Sequence, residues 1–169
     1  PFFWEVVAKK GQVFGDRGNG LSFGWNLNNA TYARDRNSSL SPDQRYDTLN
    51  QMQRSGGGTV WELAVPNGTY TVHVVAGDPS AYDSTYAINV EGVLAVSGKP
   101  TSNVKWFEGT KTVTVSDGRL TVTNAAGSAN NKIAFIDVFS DGGPVLPQVS
   151  GPLVRIPIKE LLEQLDADQ

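Results

Sequence analysis

Three stretches of this chain combine short runs of β-branched and aromatic residues with strong turn signals: Trp61–Asp78, Lys111–Thr123 and Asn130–Val138. In the first, Pro66-Asn67-Gly68 separates two such runs, and Asp117-Gly118 does the same in the second. Proline has no backbone donor, and Asn-Gly and Asp-Gly tolerate positive φ, so the chain must reverse at both places. We therefore expect two hairpins with tight turns and with both glycines at positive φ.

Strand signals recur along the rest of the chain and predict an all-β fold. Turn residues separate them at regular spacing, which favours an antiparallel β-sandwich of the jelly-roll type over an α/β fold. Alternation places Tyr70, Val72 and Val74 on one face of a strand and Thr71 and His73 on the other. The predicted strands are Pro1–Ala8, Tyr46–Gln53, Thr59–Val65, Thr69–Ala76, Thr85–Val90, Lys111–Val115, Arg119–Asn124 and Ile133–Ser140. We expect Gly11–Ser41 to be an ordered long loop with short strand pieces.

The chain changes character after Gly143. We expect residues 1–143 to form one β-sandwich domain and residues 144–169 to form a Pro-containing extended segment followed by a short helix. Ile158, Leu161, Leu162 and Leu165 have the spacing of one helix face. The predicted role of this tail is a linker or a docking segment for an appended catalytic domain or a neighbouring subunit.

Composition excludes several classes of function. The chain has no cysteine, so it has neither disulfides nor thiolate chemistry. A net charge of −3 offers no basic stripe for nucleic acid, and no apolar run is long enough to span a membrane. His73, the only histidine, is expected inside a strand. Carboxylate pairs such as Glu62 with Asp78, or Asp78 with Asp83, could serve a glycosidase, but nothing singles them out. We therefore expect a protein that is not an enzyme, and a polysaccharide lyase is the weakest alternative.

The loops instead carry the residue types that bind sugars. A sugar site needs a flat aromatic face for the C–H side of the ring and planar amides or carboxylates for its hydroxyls. The loop that contains Asp78 also carries Tyr82, Trp106 precedes another strand, and Asn130 and Asn131 precede the last one. We predict that Trp106 and Tyr82 stack on a sugar ring and that the others bond its hydroxyls. The alternative is that the aromatics pack beneath the loops and the amides cap a turn.

Four segments carry a resemblance to a known family: ARDRNSSLSPDQRYDT from Ala33, WELAVPNGTYTVHVVAGDPS from Trp61, INVEGV and NNKIAFIDV. Over Gln12–Ser140 the chain resembles the malectin-like, galactose-binding-type carbohydrate modules of bacterial extracellular polysaccharide-degrading enzymes, and is similar to family 6 and family 35 modules. The resemblance implies a jelly-roll sandwich with a non-catalytic sugar site in loops at one end. On it, Trp106 matches the stacking tryptophan, Tyr82 the loop aromatic and Asn131 the amide before the final strand.

The same resemblance implies a structural calcium near the chain ends. Ca²⁺ takes oxygen ligands, and Glu5 and Asp137 are the carboxylates that the first and last strands offer. We accordingly expect a secreted binding module that targets an extracellular enzyme or a cell surface to a polysaccharide. The alternative is a structural subunit of an extracellular assembly or filament, which uses its apolar strand Phe2–Val7 and its C-terminal tail for contacts.

Overall fold

A computed structural model describes residues 2–7, 11–54 and 57–140, and the side chains of residues 11–53 and 58–140. A 3₁₀ turn lies at Ala30–Tyr32 and a one-turn helix α1 at Gln44–Asp47. The strands are β1 (Phe2–Val7), β2 (Gly15–Asp16), β3 (Ser22–Trp25), β4 (Ala33–Asp35), β5 (Thr48–Gln51), β6 (Gln53–Arg54), β7 (Gly57–Gly58), β8 (Trp61–Ala64), β9 (Gly68–Gly77), β10 (Tyr86–Val90), β11 (Val93–Gly98), β12 (Trp106–Val115), β13 (Arg119–Asn124) and β14 (Lys132–Ser140).

The strands form two six-stranded antiparallel sheets. One, called here the β9 sheet, has the order β12-β9-β14-β5-β4, with β1 also paired to β14. The other, the β10 sheet, has the order β11-β10-β13-β8-β3-β2. A small pair, β6-β7, lies outside both sheets. The predicted all-β, antiparallel β-sandwich is confirmed.

One apolar core fills the space between the sheets. Tyr70, Val72 and Val74 of β9 are buried in it, as the alternation predicts, together with Trp61 and Leu63 of β8. A second, smaller cluster of Val75, Ala134 and Phe135 lies on the opposite face of the β9 sheet, with Tyr46 and Trp106 packed against it. The β9 sheet is therefore covered by apolar side chains on part of its outer face as well.

The two expected hairpins are wrong. β8 belongs to the β10 sheet and β9 to the other sheet, so the chain crosses between sheets at Pro66-Asn67-Gly68; it crosses back at Asp117-Gly118. Gly118 has the expected positive φ of 80°, but Gly68 does not have positive φ and begins β9. The side chain of Asn67 joins the two crossings, donating to the carbonyl of Ser116 at 2.9 Å and accepting from the Gly118 N–H at 2.8 Å. The turn residues specify where the chain reverses but not which strands pair.

Three other segments differ from the sequence prediction. The segment predicted as a strand over Tyr46–Gln53 starts inside α1, which Asp43 caps by accepting from the Arg45 N–H at 2.8 Å. β11 was not predicted, and β12 begins at Trp106 rather than Lys111. The predicted tail, with its helix Ile158–Leu165, lies outside the described residues. Within the described residues, no helix is long and apolar enough to cross a membrane.

Candidate functional site

Four loops meet at one end of the sandwich, called here the loop end. Residues 78–85 join β9 to β10, residues 99–105 join β11 to β12, and residues 125–131 join β13 to β14. Strand register brings their ends together, since Trp106 pairs with Gly77 and Tyr86 pairs with Gly98. Residues 36–43 join them through an ion pair from Arg36 to Asp78. The predicted sugar-site residues lie on these loops or at their borders.

Trp106 lies on the outer face of the β9 sheet and is partly buried. Its indole lies against the backbone of Gly77, where an added Cβ would collide with the ring. The indole N–H donates to the carbonyl of Tyr46 at 3.1 Å, and the two rings meet edge to face with centroids 5.8 Å apart. Phe107, the next residue, packs against the main core. Trp106 is thus part of the second apolar cluster as well as a residue at the loop end.

Tyr82 is the exposed aromatic of this end, with 56% of its surface accessible. The ammonium of Lys105 lies 5.5 Å from the centroid of its ring. Two further apolar side chains on these loops are exposed, Leu40 and Val104. The loop end therefore combines an exposed phenol ring, a neighbouring cation and apolar surface.

Asp78 is fully buried beneath these loops. Arg36 binds it with two hydrogen bonds, from Nε at 3.0 Å and from Nη2 at 2.6 Å. The ammonium of Lys132 lies 3.3 Å from the same carboxylate, and the Ser80 N–H donates to it at 2.9 Å. Burial alone would raise the pKa of Asp78, but the hydrogen bonds from Arg36 and Ser80 and the charge of Lys132 outweigh it and hold the pKa below 3.8.

Lys132 is itself buried and also binds Asp83, with Nζ 2.7 Å from Oδ1. Asn130, which has a φ of 54°, donates its amide to the other oxygen of Asp83 at 2.8 Å. The hydrogen bond from Lys132 lowers the pKa of Asp83. Asp83, in contrast to Asp78, is largely exposed. Sequence reasoning missed Arg36, Lys105 and Lys132 as site residues; the signal for Lys132 was a charged residue directly before the apolar run Ile133–Ile136.

Asn131 has no exposed surface. Its amide accepts from the Ala87 N–H at 3.0 Å and donates to the Ala87 carbonyl at 2.7 Å and to Asn124 at 2.8 Å. These bonds tie β10, β13 and the start of β14 together. Nearby, burial raises the pKa of Tyr86 to about 12. Of the predicted hydroxyl-binding residues, only Asn130 has accessible surface, while Asp78 and Asn131 support the loops from beneath.

The two predicted calcium ligands, Glu5 and Asp137, are partners in the backbone register of strands β1 and β14. Asp137 is buried; its Oδ2 lies 3.3 Å from Nδ1 of His73, and its Oδ1 has no hydrogen-bond partner among the described side chains. A hard cation would satisfy such an oxygen, so Asp137 is chemically suited to calcium. The described residues contain no group of three or more His, Cys, Asp or Glu side chains that could hold a metal. Calcium therefore stays a prediction.

No protein-family model matches this sequence, and no curated protein matches it. Solved structures do match. A β-glucuronidase from Bacteroides uniformis is similar with a TM-score of 0.55 and 11% identity, over 82% of this chain and 18% of that one. The Bacillus subtilis protein YXIM is similar with a TM-score of 0.51 and 18% identity, over 85% of this chain and 42% of that one. The chain thus spans less than half the length of either protein.

A family 35 carbohydrate-binding module from Cellvibrio japonicus is also among the matched structures, with a TM-score of 0.40 and 19% identity, over 65% of this chain and 81% of the module. At these identities the likeness concerns the fold alone.

Proposed function

We propose that this domain is a non-catalytic carbohydrate-binding module that binds a polysaccharide at its loop end. The observation that carries the proposal is Tyr82, an exposed aromatic ring on a loop anchored on both sides of it. Its flat face suits the apolar side of a sugar ring. Trp106, partly exposed at the start of the neighbouring strand β12, is the second stacking residue of the proposed site.

Polar groups with accessible surface complete the proposed site. Asn130 offers an amide for sugar hydroxyls, and Lys105 offers a cation beside Tyr82. In an open site each such bond replaces one to water, so its net worth is about 0.5–1.5 kcal/mol. Stacking therefore provides most of the affinity in this proposal.

The charges at the loop end support a binding role over a hydrolytic one. A glycosidase needs one carboxylic acid that stays protonated near neutral pH. Asp78 and Asp83 both contact Lys132, and the pKa of each is lowered; the pKa of Asp43, the third carboxyl group on these loops, is lowered as well. His73 lies on the outer face of the β9 sheet between Asp137 and Glu108, and Glu62 lies on β8 beside Arg119. Neither of these side chains joins the pair at the loop end.

We further propose that the domain is secreted and targets an extracellular enzyme or a cell surface to its polysaccharide. The likeness to a sandwich that makes up 18% of a β-glucuronidase chain supports a role as one part of a longer protein. The structural-subunit alternative uses the apolar strand Phe2–Val7 and the C-terminal tail for contacts; β1 pairs with β14 in its own sheet, and the tail lies outside the described residues.

A polysaccharide screen tests the proposal with the full chain. We expect retention on one class of immobilised polysaccharide, strongly weakened but still measurable in Tyr82→Ala and unchanged in Val93→Ala. Val93 is a matched control because its side chain is also exposed and apolar. It is the first residue of β11 and therefore lies at the end of that strand remote from the loop end, which the last residue of β11 reaches. A chain that binds no polysaccharide, or a Tyr82→Ala variant that binds normally, would overturn the proposal. Self-assembly of the chain in solution would favour the structural subunit instead.

A further inference from the structure

The ammonium of Lys132 contacts two carboxylates that lie on either side of Tyr82 in the chain. It is 3.3 Å from Oδ2 of Asp78, the residue that follows β9, and 2.7 Å from Oδ1 of Asp83. One cation thus closes residues 78–83 into a loop. We propose that Lys132 and Asp83 form a clamp that positions Tyr82 for sugar binding, an inference that rests on the proposed function of this end.

The clamp is asymmetric, because its centre is buried and one of its arms is at the surface. Lys132 has 2% of its side chain exposed and Asp78 has none, whereas Asp83 has 64% exposed. A buried ammonium must keep its partners, since an uncompensated charge in the interior is costly. If the loop opened and Asp83 moved into solvent, Lys132 would lose the shorter of its two contacts with a carboxylate. The electrostatic requirement of a buried residue therefore holds an exposed loop in place.

Charge balance shows why Asp83 is required. Asp78 faces two cations, Arg36 and Lys132, so one positive charge remains when Asp83 is left out. Asp83 supplies the balancing negative charge, and Asn130 donates to its second oxygen at 2.8 Å. Because Tyr82 directly precedes Asp83, the contacts of Asp83 with Lys132 and Asn130 also fix the backbone that carries the phenol ring.

The expected benefit is preorganisation. A loop that is ordered before binding does not lose its conformational entropy when the sugar arrives, so more of the contact energy appears as affinity. Asp83 is thus assigned as a positioning residue that acts through Tyr82.

The first test needs no sugar. Chymotrypsin cleaves after exposed tyrosines in mobile segments, so cleavage after Tyr82 reports loop opening. We expect Asp83→Asn to be cleaved there about tenfold faster than wild type, the effect of losing one charge-assisted hydrogen bond. Asp117→Asn, an exposed carboxylate at the sheet crossing, is the matched control and should be cleaved like wild type. Lys132→Met leaves the cleavage sequence unchanged and should also accelerate cleavage. Wild-type cleavage rates in Asp83→Asn and in folded Lys132→Met would overturn the clamp.

The second test uses the polysaccharide retained by the wild type. Asp83→Asn should weaken binding about tenfold in the wild-type background and have no effect in the Tyr82→Ala background, because coupled residues are not additive. Equal losses in both backgrounds would make Asp83 a direct ligand and contradict positioning. Faster cleavage in a chain that binds no polysaccharide would refute the proposed function and leave the clamp standing. If Tyr82→Ala weakens binding while Asp83→Asn changes neither binding nor cleavage, the clamp alone is refuted.

Discussion

Replacement of Trp106 by alanine separates its two roles, in packing and in the proposed sugar contact. Truncating a fully buried tryptophan costs about 3–5 kcal/mol, and Trp106 is only partly buried. Its individual contacts give a smaller figure. The hydrogen bond to the Tyr46 carbonyl is worth about 0.5–1.5 kcal/mol, and the edge-to-face pair with Tyr46 adds about the same. We therefore expect Trp106→Ala to lose about 2 kcal/mol of unfolding free energy.

Two measurements on the same variants check this reasoning. Urea unfolding followed by circular dichroism should give the loss above, with a melting temperature lowered by about 8 °C for a domain of this size. Retention on the polysaccharide should disappear. Trp106→Phe keeps an aromatic face against Gly77 and should retain both the fold and most of the binding. If Trp106→Ala fails to fold at all, the indole is a core residue. If it binds as the wild type does, Trp106 lies outside the site.

Four further outcomes are expected. Gly118→Val should lose about 1–2 kcal/mol of stability, because Gly118 has a φ of 80°, whereas Gly68→Ala should change it by less than about 0.5 kcal/mol, since the new Cβ meets only Tyr70, at 3.9 Å; equal urea midpoints would contradict this. Asp78→Asn should cost about 3 kcal/mol by urea unfolding, because it leaves a buried pair incomplete, and a loss under about 1 kcal/mol would refute the assigned ion pair. The pKa of Asp78 is lowered in the folded state, so its ionised carboxylate stabilises the fold. This contribution is complete at pH values above 3.8 and is lost as the pH falls through the folded-state pKa. The urea midpoint should therefore decrease below pH 3.8 in wild type, and it should decrease less in Asp78→Asn. If calcium joins the first and last strands, a chelator should lower the melting temperature, since a native-state ligand at a hundredfold excess over its dissociation constant contributes about 2.7 kcal/mol; an unchanged melting temperature would count against the metal.

The sequence predicts the faces of the strands better than their partners. Alternation in β9 places Tyr70, Val72 and Val74 in the core and His73 outside it, because side chains in a strand alternate regardless of its neighbours. Pairing depends on contacts between distant segments, which the sequence of a single turn does not show. The turn residues at the two sheet crossings are those of a hairpin, and we therefore expected hairpins there. The Pro-Asn-Gly signal is real, but it turns the chain towards the facing sheet.

The candidate site shows the same division. Its aromatic residues and loops were predicted, because residue type and position beside strand ends are visible in the sequence. The burial of Asp78 was not, since it depends on Arg36, 42 residues away, and on Lys132 at the start of β14. A carboxylate in a loop is normally solvated, because burying its charge costs free energy unless it has charged or hydrogen-bonding partners. Here those partners come from distant parts of the chain. Asn131 is buried for the same reason, with its amide shared between strands.

The adjacent rings of Trp106 and Phe107 act as a register lock for β12. Trp106 covers Gly77 on one face of the sheet, and Phe107 covers Gly98 of β11 on the other, with no room for a side chain at either glycine. A slip of one residue would exchange the two rings between core and surface. The length of the preceding loop, residues 99–105, is therefore not what places the indole. A change in the length of that loop would alter the proposed sugar contacts at the loop end, while the aromatic platform beneath it stays where it is.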